Sequence, residues 1–188
     1  LAREFVIAGQ SVSFGVTPKV LQVQTFDYSA NAESEDFSVD EDTTEETSFN
    51  LDLGVSKKWQ NGVRAGLMVK NVAAQTYTTV RDNDLELNPQ YRAGVSHHTD
   101  FSSVGLDLDL TENDPVAEGF DRPTQYLAIG GEFDAWNWLQ LRAGYRTDLA
   151  DSYEDTVHAG LGLFHILDVG AAYSDQEVQA SVRLGVRF

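Results

Sequence analysis

Charged residues recur at positions of one parity in several segments of this sequence, with aliphatic residues at the positions of the other parity. This spacing places carboxylate, guanidinium and ammonium groups on one face of a strand. In a closed interior such groups would form ion pairs, because an unmatched buried charge is strongly unfavourable. The paired charges would either plug that interior or leave only a narrow aqueous passage. We predict a lumen charge network made of Asp52, Arg64, Lys70, Arg92, Asp107, Asp109, Glu132, Arg142, Arg146, Arg183 and Arg187.

The same face could also support hydrolysis, since Asp109 and His158 together could activate a water molecule. Paired charges account for Asp107 and Asp109 without chemistry. Cysteine is absent, and neither a GxSxG nucleophile elbow nor a GxxxxGK[ST] loop is present. His97 and His98 are adjacent, so they point to opposite faces of a strand and cannot share a metal ion. We predict a non-enzyme with no catalytic, cofactor-binding or metal-binding residues.

The elements that must carry these side chains are strands. The last eleven residues, VQASVRLGVRF, alternate strictly between apolar and polar types, and this length suits a tilted strand that crosses a bilayer. The chain ends on Phe188, and a terminal aromatic residue is typical of the carboxy-terminal assembly signal of bacterial outer-membrane barrels. Similar alternation recurs upstream and predicts about ten strands.

These strands predict an all-β fold, an antiparallel up-and-down transmembrane β-barrel formed by residues 11–188, with residues 1–10 as a connector. The apolar row changes parity after Pro18, which predicts a kink in the first long strand. Tight turns alternate with longer connections, and most of the 30 acidic residues fall in the longer ones. Aromatic residues at the tight turns predict an interfacial girdle of Trp59, Phe101, Trp136, Trp138 and Phe164.

Composition limits the remaining possibilities. A formal charge of −17 disfavours nucleic-acid binding, and no apolar run is long enough for a transmembrane helix. Alternation alone also allows a soluble lipocalin-like barrel with its apolar rows turned inward around an oily ligand. The many glycines of the polar rows favour the membrane alternative, because in a narrow lumen they leave room for long charged side chains.

Several stretches carry a family resemblance. They are AGQSVSFGVTPKVLQV (Ala8 to Val23), FNLDLGVSKKW (Phe49 to Trp59), LNPQYRAGVSHHTDF (Leu87 to Phe101), VGLDLDLTENDP (Val104 to Pro115) and LAIGGEFDAWNWLQLRAGYRTDLAD (Leu127 to Asp151). Through them the chain resembles the TraF-like family of outer-membrane proteins, known from conjugal transfer operons and related to FadL-type fatty acid transporters. Family members are longer at the amino end, so the resemblance implies a fragment without the amino-terminal part.

The expected location is therefore the outer membrane of a Gram-negative bacterium, with membrane lipid as the immediate partner. The resemblance implies transport or binding of a small or hydrophobic solute. An alternative is an interaction barrel whose acidic loops, such as Ser29 to Glu46, dock another envelope or conjugation protein. No cofactor is expected.

Overall fold

The computed structural model describes residues 1–7, 9–26, 43–80, 84–115, 122–164 and 166–185. Thirteen strands occur in these residues, and the described part of the chain contains no helix that could span a membrane. The strands are β1 (Ala2–Ile7), β2 (Gln10–Phe26), β3 (Thr43–Lys58), β4 (Val63–Lys70), β5 (Gln75–Thr78), β6 (Asp84–Leu87), β7 (Gln90–His98), β8 (Ser102–Asp109), β9 (Tyr126–Trp136), β10 (Leu139–Asp148), β11 (Thr156–Leu163), β12 (Leu167–Tyr173) and β13 (Val178–Leu184).

Eleven of these strands form one antiparallel sheet in the order β1-β2-β3-β4-β7-β8-β9-β10-β11-β12-β13, and β5 pairs only with β6. The all-β, up-and-down prediction is confirmed. The sheet is open, however, with β1 and β13 at its edges, and is not closed into the predicted barrel. Ten antiparallel steps separate the two edges, so β1 and β13 run in the same direction and cannot pair with each other in the antiparallel manner.

The ten strands expected from alternation all lie in the main sheet. The eleventh is β1, which lies inside the segment 1–10 that was expected to be a connector. Its residues AREFVI include three consecutive apolar side chains and do not alternate. It becomes a strand because it pairs with β2 over its whole length, from Ala2 opposite Gly15 to Ile7 opposite Gln10.

The kink expected at Pro18 is absent. β2 pairs with β3 without a register shift from Val12 opposite Lys57 to Phe26 opposite Thr43. The Val16 amide points away from β3 and donates to the Leu1 carbonyl oxygen. The backbone nitrogen of Pro18 lies on the same side of β2 as that amide, so its missing N–H does not interrupt the hydrogen bonds between β2 and β3.

The continuous registers give the sheet two different faces. On the apolar face, side chains meet across every pair of strands, as in the row Val55, Leu67, Ala93, Leu108 and Leu127. Most of the large side chains of this face are exposed, from 37 % at Val55 to 75 % at Leu184. The only buried apolar residue in the described ranges is Tyr77, so these residues do not form an apolar core between layers.

The connections separate the two ends of the sheet. At the turn end, the strands are joined by the short segments 8–9, 59–62, 99–101, 137–138 and 164–166. At the loop end, the connections are longer except for residues 174–177, and residues 71–89 contain the β5–β6 hairpin. That hairpin packs against the polar side chains of β3, where the Tyr77 hydroxyl lies 2.5 Å from Ser48 Oγ and Asn50 Nδ2 donates to the Ala73 carbonyl at 2.8 Å.

Candidate functional site

The polar face of the sheet is the candidate site. Every member of the predicted charge network that lies in the described ranges has the parity of this face, as shown by pairs such as Arg92 with Asp109 and Glu132 with Arg142. Two of the predicted residues lie outside the described ranges. They are Arg187 of the charge network and Phe188, the predicted carboxy-terminal assembly signal. The sequence therefore places the charges on a common face correctly, and the structure adds which of them meet.

Arg142 bridges two carboxylates. Its Nε atom donates to Glu132 Oε2 and its Nη1 atom to Asp168 Oδ1, both at 2.7 Å. Gln140 extends the group, because its amide donates to Glu132 at 2.8 Å and its carbonyl oxygen accepts from Arg142. The guanidinium fork suits this arrangement, since it presents several donors in one plane. Asp168 was not among the predicted network residues.

Arg92 pairs with Asp109, the most deeply buried side chain in the described part of the sheet. The Arg92 Nε and Asp109 Oδ1 atoms are 2.5 Å apart, and Asp109 is 2 % exposed. The second carboxylate oxygen accepts from Asn113 Nδ2 at 3.0 Å and from the Tyr126 amide at 3.1 Å. With both oxygens engaged by these donors, Asp109 joins β7, β8 and β9 and is not placed to activate water.

A third cluster contains Lys19, which was not among the predicted network residues because a kink was expected at Pro18. Lys19 Nζ lies 2.6 Å from Asp52 Oδ1 and donates to Asn71 Oδ1 at 3.0 Å. The Asn71 amide donates to Asp52 at 3.0 Å, and its backbone φ of 51° is in the left-handed region that asparagine tolerates. The unbroken register of β2 places Lys19 on the polar face, whereas a kink at Pro18 would have turned it away.

The remaining predicted charges are not joined by ion pairs within the described residues. Arg146 lies over the Tyr126 ring, with its guanidinium carbon 4.7 Å from the ring centre. Arg64, Lys70, Asp107 and Arg183 have no charged partner within 4 Å among the residues that the structure describes. The network is therefore three separate clusters rather than one continuous chain of pairs.

Glycines make room for these side chains. A Cβ atom at Gly94 would collide with the carboxylate of Asp107, and one at Gly162 would lie 3.1 Å from Asp168 Oδ1. Where several glycines and alanines adjoin, the polar face contains a cavity of about 650 Å³. Its polar lining includes Asp107, Arg142, Arg146, His158, Asp168, Gln179 and Ser181.

The aromatic residues expected at the tight turns all lie at the turn end and are exposed. The Trp138 ring stacks between Trp136 and Phe164, with ring centres 5.7 and 5.8 Å apart. Phe101 meets Phe133 edge to face at 6.0 Å. Trp59 lies under the ammonium group of Lys57 at 4.8 Å. The girdle residues thus group at one end of the sheet.

No group of three or more His, Cys, Asp or Glu residues that could hold a metal ion occurs in the described ranges. His97 Nε2 lies 3.1 Å from the Asn61 carbonyl oxygen, in the neighbouring turn. At the loop end, the hydroxyl groups of Thr147 and Tyr145 hold the pKa of the exposed Asp155 carboxyl below its usual range, which keeps it ionised.

Comparison with known proteins gives one match. Residues 1–109 match the model of the family described as "F plasmid transfer operon, TraF, protein", which covers more than half of the 188 residues. No curated protein and no solved structure matches the chain. The matched range includes β1 to β8 and two of the three charge clusters. The chain belongs to the TraF family of the F plasmid transfer operon.

Proposed function

We propose that this sheet is the wall of an outer-membrane β-barrel, related to FadL-type proteins, that passes or binds a small solute along its polar face. The observation that carries the proposal is the apolar face. It is continuous across the strands, and most of its large side chains are exposed rather than packed on a second layer.

The hydrophobic effect explains why this face favours a membrane. Water-soluble monomers rarely expose a continuous apolar surface of more than a few hundred Å². In a bilayer, the same side chains replace contacts with water by contacts with lipid tails. A lipocalin-like barrel needs the opposite arrangement, with aliphatic residues filling the interior. The grouping of aromatic residues at the turn end also supports the proposal, since such rings favour the membrane interface.

The polar face favours a small polar solute over a hydrophobic one. Its cavity of about 650 Å³ is large enough for a small molecule. The charged and hydroxyl groups of its lining would form hydrogen bonds that replace those a polar solute makes with water. The β5–β6 hairpin covers part of this face near the loop end, with Tyr77 only 3 % exposed. Closure of the sheet would therefore give a lumen that is narrower at the loop end.

Gel migration and permeability test the proposal. The protein is purified in detergent, and its migration is compared with and without boiling. A membrane barrel migrates differently on the gel after boiling than before it, and it is found in the membrane fraction, from which only detergent releases it. If it passes solutes, it also makes liposomes permeable to small sugars. A monomer that stays soluble without detergent would contradict the membrane location, whereas a heat-modifiable protein that leaves liposomes sealed would contradict passage alone.

A second candidate function follows from the family match. The TraF description favours a role in conjugal transfer, and a barrel could serve there as a docking site for another envelope protein. The acidic segment from Ser29 to Glu46 is the candidate contact, although residues 27–42 lie outside the described ranges. Residues 43–46 of this segment pair with β2 as the first part of β3 rather than forming a loop. Deleting residues 29–42 alone should therefore lower transfer efficiency while leaving heat-modifiable migration intact. Unchanged transfer would contradict a role for the segment.

A further inference from the structure

A second cavity, of about 360 Å³, lies on the polar face at the turn end of β1 to β4. Its lining brings together the hydroxyl groups of Ser11, Ser13 and Ser56, the ammonium group of Lys58 and the guanidinium group of Arg64, with Glu4 as the one carboxylate. Trp59 and Gln60, in the turn after β3, complete the lining. The charged and hydroxyl residues lie on strands whose pairing is continuous, so the cavity does not depend on closure of the sheet.

Two positive charges meet directly in this cavity. Lys58 on β3 is the register partner of Arg64 on β4. Like charges at directly opposite positions destabilise an antiparallel pair. The arrangement is unusual in a chain whose formal charge is −17, because acidic residues are abundant elsewhere.

The protein itself does not neutralise this pair. Within the described residues, neither Lys58 nor Arg64 has a carboxylate within 4 Å, and the three serine hydroxyls make no side-chain hydrogen bond. Hydrogen-bond donors therefore converge on an open volume.

We propose that this cavity binds the phosphate group of a phosphate monoester. A tetrahedral dianion offers acceptor oxygens in several directions, which suits a guanidinium fork, an ammonium group and three hydroxyls better than a planar carboxylate would. Glu4, the acceptor in the cavity, suits a hydroxyl group on the alcohol part of the ester. The phosphate belongs either to a water-soluble ester or to a lipid head group, because both present the same chemistry.

Two probes distinguish these sources. Glycerol 3-phosphate is titrated into the detergent-purified full chain by calorimetry, and phosphatidic acid is supplied in lipid nanodiscs, with retention of the lipid measured by native mass spectrometry. The variant is Lys58→Gln/Arg64→Gln. The control is Lys70→Gln/Arg183→Gln, which also removes two positive charges from the polar face, but at described residues outside this cavity. Heat-modifiable migration or strand content by circular dichroism verifies that each variant is folded.

The double variant should bind the preferred probe at least about tenfold more weakly, a loss of roughly 1.4 kcal/mol, whereas the control should bind like the unaltered protein. Binding of glycerol 3-phosphate identifies a soluble ester, and retention of phosphatidic acid alone identifies a lipid head group. Binding of neither probe, or binding that the double variant leaves unchanged, would overturn the proposal. If the double variant does not fold, Ser13→Ala/Ser56→Ala replaces it, with the same expected direction.

Discussion

Arg92 and Asp109 form an ion pair with a nitrogen–oxygen distance of 2.5 Å, in which the carboxylate is 2 % exposed and the guanidinium partner is 43 % exposed. The carboxylate of Asp109 is thus enclosed by the protein, while the guanidinium group of Arg92 remains in contact with solvent. This asymmetry decides which of the two residues matters more for stability.

Asp109→Asn should lower the free energy of unfolding by about 2 kcal/mol, because it removes the charge that accepts from Arg92, Asn113 and the Tyr126 amide. Arg92→Gln should cost less, since solvent screens its side of the pair. Denaturant unfolding of the detergent-purified protein measures both. Asp107→Asn, on the same strand and face but without an ion pair within the described residues, is the control and should change stability little. Equal losses at positions 107 and 109 would contradict this account.

Arg142→Gln tests whether the polar face lines a passage. The substitution removes the cation between Glu132 and Asp168, so a lumen formed by this face should become more selective for cations. The reversal potential in a planar bilayer under a salt gradient measures this change. Lys57→Gln removes a positive charge from the apolar face and should leave the reversal potential unchanged. The same shift in both variants would contradict the assignment of the faces.

Leu106→Arg tests whether the apolar face meets lipid. Leu106 lies between Val95 and Ile129 near the middle of the sheet, and an arginine in the middle of a bilayer costs a membrane barrel about 2–4 kcal/mol. We expect poor assembly and loss of heat-modifiable migration. Ser103→Arg is the control, because Ser103 lies on the polar side of the same strand, opposite Glu132, where an added positive charge remains in water. Normal assembly of Leu106→Arg would place this face in water instead.

Gly62→Ala tests the tight turn between β3 and β4. Gly62 has a φ of +85°, and an added Cβ atom would collide with the His98 carbonyl oxygen. The loss of stability should exceed the roughly 1 kcal/mol expected from backbone strain alone. Gly9→Ala supplies the comparison, since Gly9 has a φ of +75° but open space around it. Similar melting temperatures for the two variants would show that the collision is relieved by movement of the neighbouring turn.

Alternation in the sequence was sufficient to predict the ten long strands and the face that carries the charges, because a period of two determines which residues share a side. The partners Lys19 and Asp168 were missed for local reasons. An apparent change of parity at Pro18 suggested a kink, although Leu21 and Val23 are simply half-buried residues of the polar face. Asp168 lies next to a tight turn, one residue after the start of β12.

Strand β1 and the β5–β6 hairpin could not be predicted from periodicity, because their stability comes from tertiary contacts. β1 lacks alternation and is defined by its pairing with β2. The hairpin is held to β3 by hydrogen bonds from Ser48 and Asn50, residues that look like ordinary polar positions of a long strand.

In the proposed membrane location, the common direction of β1 and β13 restricts how copies of this chain could associate. Proteins inserted by the same machinery share one orientation, so any contact between the edges of two copies would join strands that run the same way. An antiparallel seam would require one copy to be inverted, with its long connections on the opposite side of the membrane. One further strand that ran in the opposite direction and paired with both β13 and β1 would leave no unpaired sheet edge. It would close the sheet into a barrel with an even number of strands.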